Sequence, residues 1–141
     1  MAENKFLFEL ISPMGIIFHG EVESVSAPAE NGTITILPHH VPLFTKLSEG
    51  EVIIKDGSHE TVMVVAGGFL EIKANSVHLL SDYAIRADSI ETAKTEEKKR
   101  LAETKLKQQL DNREFTKADK DLKMSILELK VAQKVRRKQR I

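Results

Sequence analysis

The chain has 141 residues, 41% of them apolar and 30% charged, so it can bury a core and is not disordered in bulk. It contains no cysteine, which excludes disulfides, thiolate zinc sites and thiol nucleophiles. The zero formal charge hides a division: residues 1–87 hold five Lys/Arg against eleven Asp/Glu, and residues 88–141 hold sixteen against ten.

All seven glycines and all four prolines lie at or before Gly68, and this predicts two units, 1–87 and 88–141. No apolar run approaches the roughly 20 residues that cross a bilayer. The opening MAENKFLFELI lacks the basic-then-apolar pattern of a leader and the Arg-rich character of a transit segment. A soluble chain is expected.

From Lys5 to Ser81 the sequence reads as short β-type runs separated by turn residues. KFLFELI (5–11) puts Phe6, Phe8 and Leu10 on one face, and GIIF (15–18) and EVESVSA (21–27) follow, the latter closed by Pro28. The loop PAENG (28–32) then presents Glu30 and Asn31 at an exposed tip, either a plain solvated turn or a contact loop on a rigid scaffold. TITIL (33–37) and VPLFTKL (41–47) flank the corner Pro38-His39-His40-Val41-Pro42. Two prolines that each fix φ and lack an N–H rule out a regular central strand there. EVIIK (51–55) and ETVMVV (60–65) are joined through Asp56-Gly57, and FLEIK (69–73) and SVHLLS (76–81) through Ala74-Asn75. Nine strands at this spacing predict an antiparallel sandwich or barrel.

His39 and His40 read as structural or interface residues, because zinc needs three or four converging ligands. His19, His59 and His78 lie in separate strands or turns without ligand spacing. No phosphate-binding glycine loop, H-E-x-x-H or nucleophile elbow occurs, so neither a catalytic nor a metal site is expected.

After Asp88 the composition turns to helix formers. Asp88-Ser-Ile-Glu91 reads as a capping box opening a helix to about Leu110, with a thin stripe of Ile90, Ala93, Leu101, Ala102, Leu106 and Leu110. Asp111-Asn112 is a break, and Thr116-x-x-Asp119 a second capping box for a helix to about Lys138. That second helix carries two stripes. Phe115, Ala118, Leu122, Ile126, Leu129 and Ala132 form one, and Met124, Leu127, Val131 and Val135 lie nearly opposite. A hairpin needs only one, so the second implies another docking surface and a movable element. Lys130, Lys134, Arg136, Arg137, Lys138 and Arg140 crowd the last twelve residues with no acidic residue among them. Few aromatics and no Trp weigh against nucleic acid and membrane, leaving an acidic protein surface as the partner. The fold class is therefore α+β: an N-terminal antiparallel β-sandwich or barrel followed by a C-terminal two-helix antiparallel hairpin.

Two stretches resemble the epsilon subunit of the F-type ATP synthase, the counterpart of mitochondrial delta. They are ENGTITILPHHVPLFTKLSEG (30–50) and VVAGGFLEIKANSVHLLSDYAIRADSI (64–90). The resemblance implies a ten-stranded sandwich and a helical hairpin in a non-catalytic rotor subunit. The sandwich would bind the gamma subunit and the polar loops of the c-ring, with Glu30, Asn31, Gly32 and His40 at that contact. The basic residues from Lys130 to Arg140 would reach the alpha and beta subunits and restrain ATP hydrolysis. The chain would lie peripherally on the cytoplasmic side of a bacterial inner membrane. ATP is implied as a regulatory ligand through Ile90, Glu91, Lys94 and Arg100. The sequence departs from the family's I-D-x-x-R-A motif here: Glu91 and Lys94 replace its acid and arginine, and a further arginine falls on Leu101, one step from Arg100. The rival class is a β-sandwich binding module whose basic hairpin grips RNA or an acidic protein.

Overall fold

A computed structural model describes residues 4–139, and the chain divides into two compact units after Arg86. The first unit is built from eight strands: β1 (Phe6–Ser12), β2 (Gly15–Val22), β3 (Ser24–Ala29), β4 (Gly32–Ile36), β5 (Leu43–Asp56), β6 (His59–Ile72), β7 (Ser76–Leu80) and β8 (Ala84–Arg86). They pair in the order β2-β1-β7-β6-β5-β3-β4, with β8 on β6. All pairs are antiparallel except β1 with β7.

Nine runs become eight strands because β5 and β6, each 14 residues long, absorb two runs apiece, while the short β8 is added. The register explains the merger. The first half of β5 and the second half of β6 lie with β7, β1 and β2; their other halves lie with β3, β4 and β8. The two long strands thus pass from one layer of the sandwich to the other, and glycine marks the crossing. At Gly68 (φ 131°) a Cβ would sit 1.9 Å from the Leu80 carbonyl oxygen, so only glycine fits. The eight strands also correct the ten implied by the resemblance.

Alternation decides what is buried. Phe6, Phe8 and Leu10 of β1 point inward, as do Val25, Ala27 and Ala29 of β3, Val52 and Ile54 of β5, Leu70 and Ile72 of β6, and Val77 and Leu79 of β7. Phe8 and Leu10 are fully buried, and each large side chain of this kind contributes about 1.5–3 kcal/mol. The Phe8 ring meets Phe18 of β2 at a centroid distance of 5.8 Å. Pro28 does not end its strand: β3 continues to Ala29, and the residue lacking an N–H sits where the β3–β5 register shifts, between Ser26 and Ala29.

The second unit opens with a 3-10 turn at Ala87–Ser89, then α1 (Thr92–Leu106) and α2 (Asn112–Gln139). The expected capping box at Asp88 does not form. Asp88 lies in the 3-10 turn and accepts from the Ser89 hydroxyl at 3.3 Å, and Glu91 is the N-cap but makes no side-chain capping bond. The second expected box is also displaced. Asp111 starts α2, accepting the Glu114 N–H at 2.8 Å, while Thr116 lies inside the helix and donates its hydroxyl to the Asn112 carbonyl at 2.8 Å.

The buried positions of α2 are Ala118, Ser125, Glu128, Val131 and Ala132, an arc straddling the two expected stripes. Phe115 and Ile126, at the edge of the first stripe, are exposed. On α1 the buried positions are Thr95 and Ala102, whereas Ala93 and Leu101 are exposed. Small residues at the seam let two helix backbones approach closely, which moves the larger apolar groups to its margins.

Candidate functional site

The layer of β2, β1, β7 and the second half of β6 has an outer face with an apolar row. Ile16 lies opposite Ile11, Ile11 opposite Leu80, and Leu80 opposite Phe69. Phe44 of β5 stacks on Phe69 with ring centroids 5.7 Å apart. Exposure is 62% for Ile16, 49% for Leu80, 46% for Phe69 and 64% for Phe44, while Leu37 and Val41 of the β4–β5 corner are exposed as well. A connected apolar face of this kind on a well-buried sandwich marks a contact surface. The sequence reading missed it. VPLFTKL and FLEIK read as ordinary alternating strands until register puts Phe44 and Phe69 side by side.

The corner is a tight turn in which His40 N–H donates to the Leu37 carbonyl at 3.2 Å. Pro38 occupies its second position and His39 its third. His39 has φ 67°, the one positive φ among the described non-glycine residues. His40 Nδ1 lies 2.7 Å from the Val41 carbonyl oxygen. A carbonyl only accepts, so Nδ1 carries the proton and Nε2 is left to a partner.

Glu30 and Asn31 form the two-residue tip of the β3–β4 hairpin, between paired Ala29 and Gly32, and both are exposed. They keep negative φ, and Gly32 at φ 130° completes the reversal. Glu30 N–H donates to the Lys46 carbonyl at 3.0 Å and fastens the tip to β5. The tip and His40 therefore belong to different elements with separate hydrogen bonds.

In the second unit Lys130, Lys134, Arg136, Arg137 and Lys138 are exposed on the last turns of α2; Arg140 lies outside the described residues. At about 100° per residue Lys130, Lys134 and Arg137 share one side, away from the buried arc, while Lys138 nearly lines up with Val131 at its border and Arg136 lines up with Ala118. The residues implied for nucleotide are spread out. Ile90 is buried. Lys94 pairs with Glu91 at 3.0 Å on the first turn of α1. Arg100, further along, donates through Nε to Glu97 at 3.2 Å and through a second nitrogen to the other carboxylate oxygen. That fork holds the Glu97 carboxyl below its ordinary 4.5. Arg100 also borders an open groove between α1 and α2 of about 510 Å³, with Lys99, Ile126 and Lys130 among its lining.

Among the described residues no group of three or more His, Asp or Glu side chains is placed to hold a metal ion, and no helix is long and apolar enough to cross a membrane.

Residues 5–87 match the family described as ATP synthase, Delta/Epsilon chain, beta-sandwich domain. An ATP synthase epsilon chain of Chromobacterium violaceum is 40% identical over 129 residues, covering 90% of this chain and 92% of its own length. The ATP synthase epsilon chain of Laribacter hongkongensis is 36% identical over 132 residues, covering 92% and 94%. Among solved structures, a chain of the Euglena gracilis mitochondrial ATP synthase matches with a TM-score of 0.76 at 19% identity, covering 92% of this chain and 81% of its own length. A chain of the Tetrahymena thermophila mitochondrial ATP synthase, in a structure of its central stalk and c-ring, matches with a TM-score of 0.59 at 14% identity, covering 94% and 99%. These two structures share the fold.

Proposed function

The chain belongs to the delta/epsilon family of the ATP synthase, as an epsilon chain, and from that premise we propose that it couples the catalytic head to the c-ring and restrains ATP hydrolysis. It is a non-catalytic subunit of a membrane-associated complex. In this reading the sandwich grips the gamma subunit through the apolar face around Phe44 and Phe69, with His40 Nε2 available at the same partner. The hairpin tip Glu30-Asn31-Gly32 meets the polar loops of the c-ring, where an exposed carboxylate and amide suit a polar surface. The cationic side of α2 around Lys130, Lys134 and Arg137 meets acidic segments of the alpha and beta subunits. The complex would stand on the cytoplasmic side of a bacterial inner membrane and use a proton gradient.

The observation that carries the reading is the exposed apolar face on a sandwich whose inward positions are otherwise filled. An apolar surface of that extent favours removal from water by a partner. The test is hydrolysis by the assembled complex with the full chain, without it, and with residues 130–141 removed. The full chain should lower ATPase activity, and the truncated chain should assemble and leave activity high. Equal hydrolysis in all three would refute restraint by this chain.

ATP enters the same reading as a regulatory ligand, supported by the groove that Arg100, Lys99 and Lys130 share. Phosphate there would compete with Glu97 for the Arg100 fork, which makes the binding weak.

A further inference from the structure

Beside the apolar row runs a second row, whose members are scattered in sequence. Glu9 of β1 lies opposite His19 on β2 and opposite His78 on β7, and His78 lies opposite Glu71 on β6. All four occupy the outer face: Glu9, His78 and Glu71 are flanked by the buried core residues Phe8, Leu10, Val77, Leu79, Leu70 and Ile72, and His19 is exposed next to Phe18, which packs against the core. His78 Nε2 stands 3.6 Å from Glu9 Oε1, and these side chains are 29% and 20% exposed. Each member sits two residues along its strand from the apolar row on β1, β7 and β6, so a partner covering the apolar face covers or borders this row.

We propose that this His/Glu row makes docking of the gamma subunit pH-dependent, tightening it as the imidazoles take up protons. The proposal rests on the docking reading given above and adds its regulation. The groups facing each histidine are these. His78 meets Glu9 from β1 and Glu71 from β6, with Ser76 and Leu80 on its own strand; His19 meets Glu9 and has Glu21 two residues on. Glu71 also has Lys73 Nζ at 3.4 Å, and Lys46 of β5 lies opposite Phe69.

Glu9 is therefore flanked on both sides by imidazoles, which are cations only when protonated. Covering a half-buried carboxylate with an apolar partner costs several kcal/mol unless a cation stays beside it. Protonated His19 and His78 supply that cation. Docking then binds protons, and linkage requires affinity to rise as pH falls through the histidine range. The sign fits a partner that brings an apolar surface and no cation of its own opposite Glu9.

The experiment measures binding of the full chain to purified gamma at constant ionic strength, at about pH 6 and about pH 8, to either side of the histidine range. Three chains are compared: the wild type, the double variant His19→Gln/His78→Gln, and Glu9→Gln. The wild type should bind roughly tenfold tighter at the lower pH, and the double variant should change by less than about twofold. Glu9→Gln should bind at the higher pH about as tightly as the wild type does at the lower one, and it carries the test if the double variant unfolds. A double variant that keeps the wild-type pH slope overturns the proposal and moves the titration to His39, His40 or His59. Wild-type binding that is indifferent to pH, or weaker in acid, overturns the proposal while leaving the docking reading intact. An absence of binding at both pH values overturns both.

Discussion

Phe44 of β5 and Phe69 of β6 stack across neighbouring strands at an interplanar angle of 18°, with both rings in solvent. They are diagonal neighbours: Phe44 lies opposite Glu71 and Phe69 opposite Lys46, so the rings meet by leaning across the register. The sandwich core does not use either ring, and a bound partner gains both at once. The double variant Phe44→Ala/Phe69→Ala should weaken binding to gamma by roughly 2–4 kcal/mol, the range of aromatic anchors at interfaces. Thermal unfolding of the isolated chain should move little, because the rings are already wet. Unaltered affinity in a binding titration would remove this face from the contact.

What could be read ahead of the structure was whatever depends on near neighbours. The alternation in FLFELIS, the hairpins at Asp56-Gly57 and Ala74-Asn75, and the change of composition after Asp88 are local patterns with a local cause. What escaped depends on register between distant strands. His19 and His78 look unrelated in sequence, and only β1 lying between β2 and β7 places Glu9 against both. Helix starts were misjudged for another reason. Asp111 and Thr116 both satisfy the rules for an N-cap, and the structure selects the one that adds another turn to α2. Glu128 was overlooked because a charged residue among apolar stripes reads as solvent-facing, whereas it is 5% exposed.

The hairpin tip depends on Gly32. At φ 130° any side chain is strained even though the space around its Cβ is open. Gly32→Ala should cost about 1–2 kcal/mol of sandwich stability and re-aim Glu30 and Asn31. Replacing Glu30 and Asn31 together by alanine leaves the backbone free to keep its turn, so stability should hold. Both variants should lower ATP-driven proton pumping relative to hydrolysis in reconstituted vesicles. Normal pumping by the double variant would take the tip out of the c-ring contact.

His39 is a test of backbone conformation. Its φ of 67° is the third position of a turn that favours glycine. His39→Gly and His39→Val both lose whatever the imidazole contributes, so the difference between them isolates the backbone. The glycine variant should exceed the valine variant by about 1–2 kcal/mol, or several degrees in Tm. Equal melting temperatures would mean the corner relaxes to negative φ.

Arg100 and Glu97 form a forked ion pair on the exposed side of α1. The hydrogen bond from Arg100, followed by its charge, lowers the Glu97 carboxyl from 4.5, and the reciprocal hydrogen bond raises the Arg100 guanidinium above its ordinary value. A depressed carboxyl contributes stability above its unfolded value and loses it as pH falls through the folded one. The pair should therefore support α1 at neutral pH and stop doing so somewhat below pH 4.5, a small effect since both groups are exposed. On the proposed reading of ATP as a regulatory ligand, the same pair would set the response to it. Glu97→Gln removes the competitor for the Arg100 fork and should tighten ATP binding by roughly threefold to tenfold, whereas Arg100→Gln should abolish it. Calorimetric titration of the full chain with ATP reads both variants, and identical isotherms for wild type and Glu97→Gln would separate Arg100 from any nucleotide site.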